Sequence, residues 1–300
     1  MSAVFIGTFG NLLESKSAIL LKSRLKIMSD SRPSSDIAKF RNILKESKNV
    51  LILSGAGISA ESGIPTFRGE GGYWRKYVAT NLATPQAFKA NPSLVWEFYH
   101  YRREIARQAQ PNPGHIAVAE FEKKSREKGR GVTLVTQNID NLHARAGSQN
   151  IVELHGNLYK TRCTKCKNIE VNNDSPICEA LRDKGAPDAN AVSSDIPLEL
   201  LPRCKVPDCG GLLRPHIVWF GENLEGDIID RAYAAVSECD VCLIIGTSSV
   251  VYPAAMFAPQ AASRGIPVAE FNIEATPATE DFGFHFQGKC GEILPKVLDV

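Results

Sequence analysis

The sequence lacks the features that mark several other classes of protein. No part of its 300 residues approaches the run of about 18 apolar side chains that a membrane-spanning helix needs, so we expect no transmembrane segment. The charges are nearly balanced, with 35 basic and 33 acidic side chains, so no overall positive charge favours nucleic acid or a membrane surface. Eight cysteines are too few for a disulfide scaffold in a chain of this length, which favours a reducing, intracellular setting.

The N-terminal segment, residues 1–32, differs in composition from the rest of the chain. Between positions 1 and 29 a single acid, Glu14, stands against four basic side chains: Lys16, Lys22, Arg24 and Lys26. Basic, acid-poor, amphipathic N-termini are typical of mitochondrial transit peptides, which predicts a location in the mitochondrial matrix. A disordered tail is the alternative, because residues 1–29 contain only one arginine, and that alternative leaves the cytosol and the nucleus open.

Short aliphatic runs alternate with helical patterns along most of the chain. Helical spacing of apolar residues follows Asp36 and returns over 92–108 and 115–128. The aliphatic runs are too short for helices and are typical of strands in a parallel sheet: 50–53, 132–135, 151–154, 241–245 and 267–271. This alternation predicts an α/β fold with a Rossmann-like, doubly wound parallel sheet. Between about 159 and 214 cysteines, prolines and polar runs replace the pattern, which indicates an inserted module.

A glycine loop follows the first predicted strand. Gly55-Ala56-Gly57 comes directly after the run 50–53, and Ser59 to Ser62 is a plausible helix start. A strand, a glycine turn and a helix N-terminus together let backbone N–H groups approach a pyrophosphate. The alternative is a tight turn that needs glycine only for its backbone angles.

Polar residues also follow the other predicted strands. Thr136 to Asp140 comes after 132–135, His155 ends 151–154, and Gly246 to Ser249 comes after 241–245. Parallel sheets bind ligands at the carboxyl ends of their strands, so these side chains are candidate ligand contacts. Two alternatives stay open here: Thr136 to Asp140 caps a helix, and His155 is a hydrogen-bonded structural residue. We expect His143 to face the surface of a helix.

Four cysteines form two pairs within the inserted module. The pairs are Cys163-x2-Cys166 and Cys204-x4-Cys209. Four thiolates around one Zn²⁺ make a closed, structural site with no open position for substrate. Cys178 is a rival ligand, and four unpaired, reduced cysteines are the alternative to a metal site.

The string G-A-G-I-S-A-E-S-G-I-P-T-F-R at 55–68, together with T-Q-N-I-D at 136–140 and L-H-G at 154–156, resembles the signatures of the sirtuins, the NAD-dependent protein lysine deacylases. The resemblance covers about 34–298 and implies catalytic roles for His155, Asn138 and Asp140. It also implies that NAD is held by Gly55, Ala56, Gly57, Glu61, Phe67, Arg68, Gln137, Asn138, Ile139, Asp140, Gly246, Thr247, Ser248, Asn272 and Glu274, with Cys290 in a loop that passes the adenine.

The same resemblance implies the metal, the substrate and the domains. One structural zinc would be held by Cys163, Cys166, Cys204 and Cys209, and acylated lysine peptides or proteins would be the partners. The apolar segment Val218, Trp219, Phe220, Gly221 and Glu222, which on its own could be a sheet edge or a groove wall, would pair with the bound peptide.

The sequence does not set the oligomeric state, and a monomer is the expectation. The expected NAD-binding domain comprises 33–66, 115–158 and 215–300, and the expected small domain comprises 67–114 and 159–214.

A further motif concerns the acyl group. Tyr99-x2-Arg102 lies on a predicted helix, where this spacing lets the phenol and the guanidinium hold one carboxylate. The alternative is a packed tyrosine and a solvated arginine. The motif resembles the acyl pocket of the mitochondrial sirtuins that remove succinyl, malonyl and glutaryl groups, with Ala79 as the small residue that leaves room for the acyl chain. Two rival functions stay open: mono-ADP-ribosyl transfer, and a nucleotide-sensing binding protein that grips a partner with its zinc module.

Overall fold

A six-stranded parallel sheet forms the centre of the computed structural model, which describes residues 32–66, 72–191 and 193–299. All neighbouring strands are parallel. In spatial order they are β11 (Phe284–Gln287), β10 (Val268–Asn272), β9 (Val241–Ile245), β1 (Asn49–Ser54), β4 (Gly131–Thr136) and β5 (Ile151–Glu153). The predicted α/β, doubly wound sheet is confirmed. The chain runs outward from β1 first through β4 and then through β9, so the order reverses beside β1, where such folds form a ligand crevice.

Helices cover both faces of this sheet. On one face Phe40, Val118, Phe121 and Leu294 pack against the sheet, and on the other Val236, Phe257 and Ala261 do so. These helices are α1 (Ile37–Glu46), α2 (Ala56–Ala60), α6 (Pro113–Glu127), α7 (Leu142–Ala146), α8 (Gly226–Glu238), α9 (Phe257–Ser263) and α10 (Cys290–Leu298). Because both faces are covered, the central strands bury nearly every side chain, which explains their unbroken aliphatic sequences.

A second group of elements shares a separate core. Trp74, Trp96, Tyr99, Leu181 and Trp219 are among its buried members. It contains an antiparallel sheet of β6 (Gly156–Cys163), β7 (Ile169–Val171) and β8 (Leu213–Ile217), the hairpin β2 (Tyr73–Trp74) and β3 (Tyr77–Val78), and the helices α3 (Ala79–Leu82), α4 (Pro85–Ala90) and α5 (Pro92–Gln108). Helix α5 has the predicted bounds and begins with a proline after Asn91, whose side chain accepts a hydrogen bond from the Leu94 N–H.

Helix α6 begins at Pro113, two residues before the predicted start, because proline fits the first turn and the Asn112 side chain caps it.

None of the helices in the described part of the chain is long and apolar enough to cross a membrane. The expected transit peptide lies almost wholly within 1–31, outside the described residues.

Candidate functional site

The glycine loop after β1 packs against the loop after β9. The Gly57 N–H donates a hydrogen bond of 2.7 Å to the Gly246 carbonyl, and the Gly55 N–H donates one of 2.9 Å to the Ile245 carbonyl. A Cβ atom at position 57 would lie only 2.8 Å from the Gly246 Cα. Glycine is therefore required at position 57 by the close approach of two backbones at the edge of the crevice.

The segment after β4 brings Asn138 and Asp140 to the same loop. Asn138 Nδ2 donates to the Gly55 carbonyl at 2.9 Å and to Ser59 Oγ at 3.1 Å. Ser59 Oγ in turn donates to Asp140 Oδ2 at 2.7 Å, and the Leu142 N–H donates to Asp140 Oδ1 at 2.9 Å. Burial raises the pKa of Asp140, although these two hydrogen bonds oppose the effect. Ser59 links the two predicted residues, and only the three-dimensional structure reveals that bridge.

Gln137 and Asn272 connect the remaining strand ends. Gln137 Nε2 donates to Thr247 Oγ1 at 3.0 Å, and Asn272 Nδ2 donates to the Thr247 carbonyl at 2.9 Å. Ile139 is buried in the separate core that contains Trp96 and Trp219, whereas Ser248 is exposed. The carboxyl ends of β1, β4, β9 and β10 therefore form one polar crevice, as the motifs predicted.

Three predicted cofactor residues lie at the rim of this crevice. The Gly291 N–H donates to both carboxylate oxygens of Glu61, at 3.2 and 3.1 Å. Cys290 is the first residue of α10 rather than part of a loop, and burial raises the pKa of its thiol to about 12. Glu274 is exposed, two residues beyond the end of β10. Phe67 and Arg68 lie outside the described residues.

His155 follows β5 and faces the T-Q-N-I-D segment. Its Nδ1 lies 3.2 Å from the Gln137 carbonyl oxygen, and its own carbonyl accepts a hydrogen bond from the Val218 N–H at 3.0 Å. A carbonyl can only accept, so the Nδ1 atom carries the proton and Nε2 is the acceptor nitrogen of the ring. Gly156 has a φ of +83°, and a Cβ there would overlap the His216 carbonyl. Both facts explain why a glycine follows His155.

The prediction that His143 faces a helix surface is wrong. Its side chain is 3% exposed, and its Nε2 lies 2.9 Å from Ser54 Oγ at the end of β1. Burial holds the pKa of this imidazole well below its usual value, and His115, with its ring centroid 4.8 Å away, lowers it further. A helix of five residues turns too few times for its sequence to show which face is buried.

Tyr99 and Arg102 lie on α5 beside the segment that follows β8. The Tyr99 hydroxyl accepts a hydrogen bond of 2.8 Å from the indole N–H of Trp219, and the Arg102 guanidinium carbon lies 5.6 Å from the centre of the Tyr99 ring. Burial raises the pKa of Tyr99 and lowers the pKa of Arg102. The negative charge of Asp140 opposes this lowering of the Arg102 pKa. Tyr99 and Arg102 therefore adjoin the polar crevice.

The segment from Val218 to Glu222 extends beyond β8 and ends in a turn. The Phe220 N–H donates to the Ala83 carbonyl at 2.9 Å, while the Phe220 ring is 55% exposed. Gly221 has a φ of +87°, which permits the turn. Ala79 is buried at the start of α3, and Ala83, which the sequence reasoning missed, is the small residue with a direct bond to this segment.

The four paired cysteines come together at one point of the small sheet. The Cys163 and Cys209 sulfurs are 3.6 Å apart, as are those of Cys166 and Cys204. All four sulfurs lie within 4.8 Å of one another, the separation expected of ligands around one tetrahedral ion. The rival ligand Cys178 is not part of this group, which can therefore hold one zinc ion without it.

The comparisons with known proteins agree with this geometry. The model of the Sir2 family matches residues 55–253. This chain belongs to the Sir2 family. The sirtuin is 64% identical over 266 residues to a protein of Daphnia pulex named NAD-dependent protein deacylase, across 89% of this chain and 97% of the relative. It is 62% identical over 268 residues to the NAD-dependent protein deacylase sirtuin-5, mitochondrial, of Canis lupus familiaris, across 89% and 86%.

Solved structures give the same relationship for this sirtuin. A Sir2 homologue in complex with NAD superposes with a TM-score of 0.76 at 40% identity, covering 91% of this chain and 96% of the other. A complex of Sir2 with a p53 peptide and NAD⁺ superposes with a TM-score of 0.71 at 31% identity, covering 88% and 98%. At these identities the family, and not merely the fold, is shared.

Proposed function

We propose that this sirtuin is an NAD-dependent protein-lysine deacylase that removes succinyl, malonyl and glutaryl groups in preference to acetyl. The names of its relatives, NAD-dependent protein deacylase and sirtuin-5, support the reaction class. The observation that carries the acyl preference is the pair Tyr99 and Arg102. A guanidinium whose pKa is lowered by burial gains a charge-assisted partner when an acyl carboxylate enters beside it.

The polar crevice fits NAD by the chemistry of its donors. The Gly55 and Gly57 N–H groups are bonded to the Ile245 and Gly246 carbonyls, so the donors are instead the amides and hydroxyls that surround the crevice from three strand ends. We assign NAD contacts to the residues that the resemblance implies, among them Phe67 and Arg68, which lie outside the described residues. When bound, NAD would supply an electrophilic ribose carbon for the acyl oxygen, and the expected products are nicotinamide, free lysine and 2′-O-acyl-ADP-ribose.

The residues of this chain then have distinct roles. His155, whose Nδ1 is bonded to the Gln137 carbonyl so that Nε2 is the basic nitrogen, accepts a proton from a ribose hydroxyl. Asn138 orients the ribose and the attacking water. Asp140, fixed by Ser59 and by the Leu142 N–H, holds the nicotinamide amide. The segment Val218 to Glu222 pairs with the peptide that carries the acyl-lysine, as in strand addition at an exposed edge.

Three further assignments complete the proposal. The cysteine group holds one structural zinc, because it offers four thiolates and no position for substrate. We assign the small domain to 67–114 and 159–214, because Trp96 and Leu181 share one core, into which Trp219 of the other expected domain also packs. The protein acts in mitochondria, which the names of its relatives and the basic N-terminal segment support.

The experiment that tests the acyl preference compares two substrates of one variant. A charge-assisted hydrogen bond contributes roughly 1.5–3 kcal/mol, so Arg102→Met should lower kcat/KM for a succinyl-lysine peptide about 10- to 150-fold. Acetyl-lysine carries no carboxylate and should lose little. Arg107→Met is the matched control, because Arg107 lies on the same helix and, among the described residues, donates to the Asn173 carbonyl rather than to Tyr99. If Arg102→Met lowers turnover of both peptides equally, Arg102 is structural and the proposed preference is wrong.

A further inference from the structure

Trp219 makes a hydrogen bond to the acyl pocket that none of the sequence motifs accounts for. Its indole N–H donates to the Tyr99 hydroxyl oxygen at 2.8 Å, and both side chains are buried. The two rings are tilted at 37°, with centroids 6.2 Å apart. This bond joins the peptide-binding segment to α5, across 120 positions of sequence.

Within the described part of the chain, the two side chains that hydrogen-bond the Tyr99 hydroxyl are pure donors. An indole has one N–H and no acceptor, and the guanidinium of Arg102, which also bonds Tyr99, has only N–H groups. The phenol oxygen therefore accepts from both Trp219 and Arg102, and neither can take the Tyr99 proton. That proton is available to a third group with acceptor oxygens, and a carboxylate is the strongest acceptor that an acyl chain can offer.

The Trp219 ring is itself held in place at two points. The Arg214 guanidinium carbon lies 3.5 Å from the centre of the ring, and the same guanidinium bonds both oxygens of Glu222, at 2.5 and 2.8 Å. Glu222 Oε2 also accepts a hydrogen bond of 2.9 Å from the Trp219 backbone N–H. With the ring face and the backbone both fixed, the indole N–H has little freedom to leave Tyr99.

We infer that Trp219 is a positioning residue for acyl specificity, which turns the Tyr99 O–H toward the carboxylate of a succinyl, malonyl or glutaryl chain. The inference rests on the proposed function, because it requires a charged acyl group in this pocket. Without the indole N–H, the Tyr99 oxygen loses one donor and its proton has other directions open to it. The preference for charged acyl groups over acetyl then falls, while the charge of Arg102 remains.

Trp219→Phe tests this inference because it keeps a packed aromatic ring and removes the N–H. The ratio of kcat/KM for succinyl-lysine to that for acetyl-lysine should fall about 2- to 10-fold, the effect of one neutral hydrogen bond. Trp96→Phe is the matched control. It removes another buried indole N–H from the same core, but one that donates to the Leu213 carbonyl at 2.9 Å and not to Tyr99. The ratio of kcat/KM for succinyl-lysine to that for acetyl-lysine should be the same in Trp96→Phe as in the unaltered protein.

The same substitution in the Tyr99→Phe background separates positioning from packing. With no hydroxyl to orient, Trp219→Phe should have no further effect on the ratio of the two substrates. An equal fall in both backgrounds, or no fall beside unaltered Tyr99, would overturn the inference. If Arg102→Met abolishes the preference and Trp219→Phe does not, only this inference fails; if the unaltered protein shows no preference, the proposed function fails with it.

Discussion

A buried ion pair holds α5, the helix that carries Tyr99, to the hairpin of β2 and β3. Arg75 Nη2 lies 2.8 Å from Glu97 Oε2, and the two side chains are 4% and 0% exposed. Glu97 also accepts hydrogen bonds from Ser193 Oγ at 3.2 Å and from the Ser194 N–H at 2.8 Å. Glu97→Gln would keep the shape of the side chain but leave the charge of Arg75 buried without its counter-ion.

The burial of this pair sets the expected loss of stability. Removing one partner of a buried ion pair costs about 3–5 kcal/mol, because the remaining charge stays desolvated. The pair Lys124 and Asp299 is the contrast, since its atoms are 3.1 Å apart but its side chains are 45% and 73% exposed. An exposed pair contributes about 0–1 kcal/mol, so Asp299→Asn is the matched control.

Urea unfolding of the zinc-loaded protein, followed by tryptophan fluorescence, measures both changes. Glu97→Gln should lower the free energy of unfolding by about 3–5 kcal/mol, whereas Asp299→Asn should leave it nearly unchanged, because solvent screens the exposed pair. If Glu97→Gln lowers the free energy of unfolding no more than the control does, the charge of Arg75 is not buried as the structure indicates. The reasoning from burial would then be wrong.

The remaining predictions concern the metal, the base and pH. Cys166→Ser should lose the zinc, of which metal analysis of the unaltered protein should find about one per chain; an active, folded, zinc-free protein would contradict this. His155→Ala should keep NAD binding but lower turnover about 10²- to 10⁴-fold, and turnover within a few-fold would exclude His155 as the base. Burial lowers the pKa of His115 to about 4, so the unfolded state binds a proton from about pH 6.5 downward and stability falls toward pH 4. His115→Gln, which retains a capping-box side chain, should make that fall shallower in unfolding curves; an unchanged slope would contradict it.

The sequence predicted the elements whose patterns are local. Val241–Ile245 and Pro92–Gln108 have the predicted bounds, because five buried aliphatic residues and a proline-capped amphipathic run are each distinctive. Strand β11 was missed because it is four residues long and buries only alternate side chains, Phe284 and Phe286, against Phe40. The small sheet was also missed, because its strands are separated by the irregular stretch that indicated an inserted module.

The candidate site also has features that the sequence predicted and contacts that only the structure reveals. Motifs at strand ends predicted the crevice, since parallel strands bring their carboxyl ends together whatever the details of packing. The bridge through Ser59, the burial of His143 and the bond from Trp219 to Tyr99 depend on contacts between distant segments. Spacing along one chain carries no information on such contacts, so the structure was needed to find them.

The product of the reaction is the most direct test of the proposed function. Mass spectrometry of this protein with NAD and a succinyl-lysine peptide should find free lysine peptide, nicotinamide and 2′-O-succinyl-ADP-ribose. Formation should exceed that from an acetyl-lysine peptide and should depend on Arg102. Attachment of ADP-ribose to protein without loss of the acyl group would instead indicate ADP-ribosyl transfer, and NAD bound without any product would indicate a nucleotide-binding protein. Either result would contradict the account.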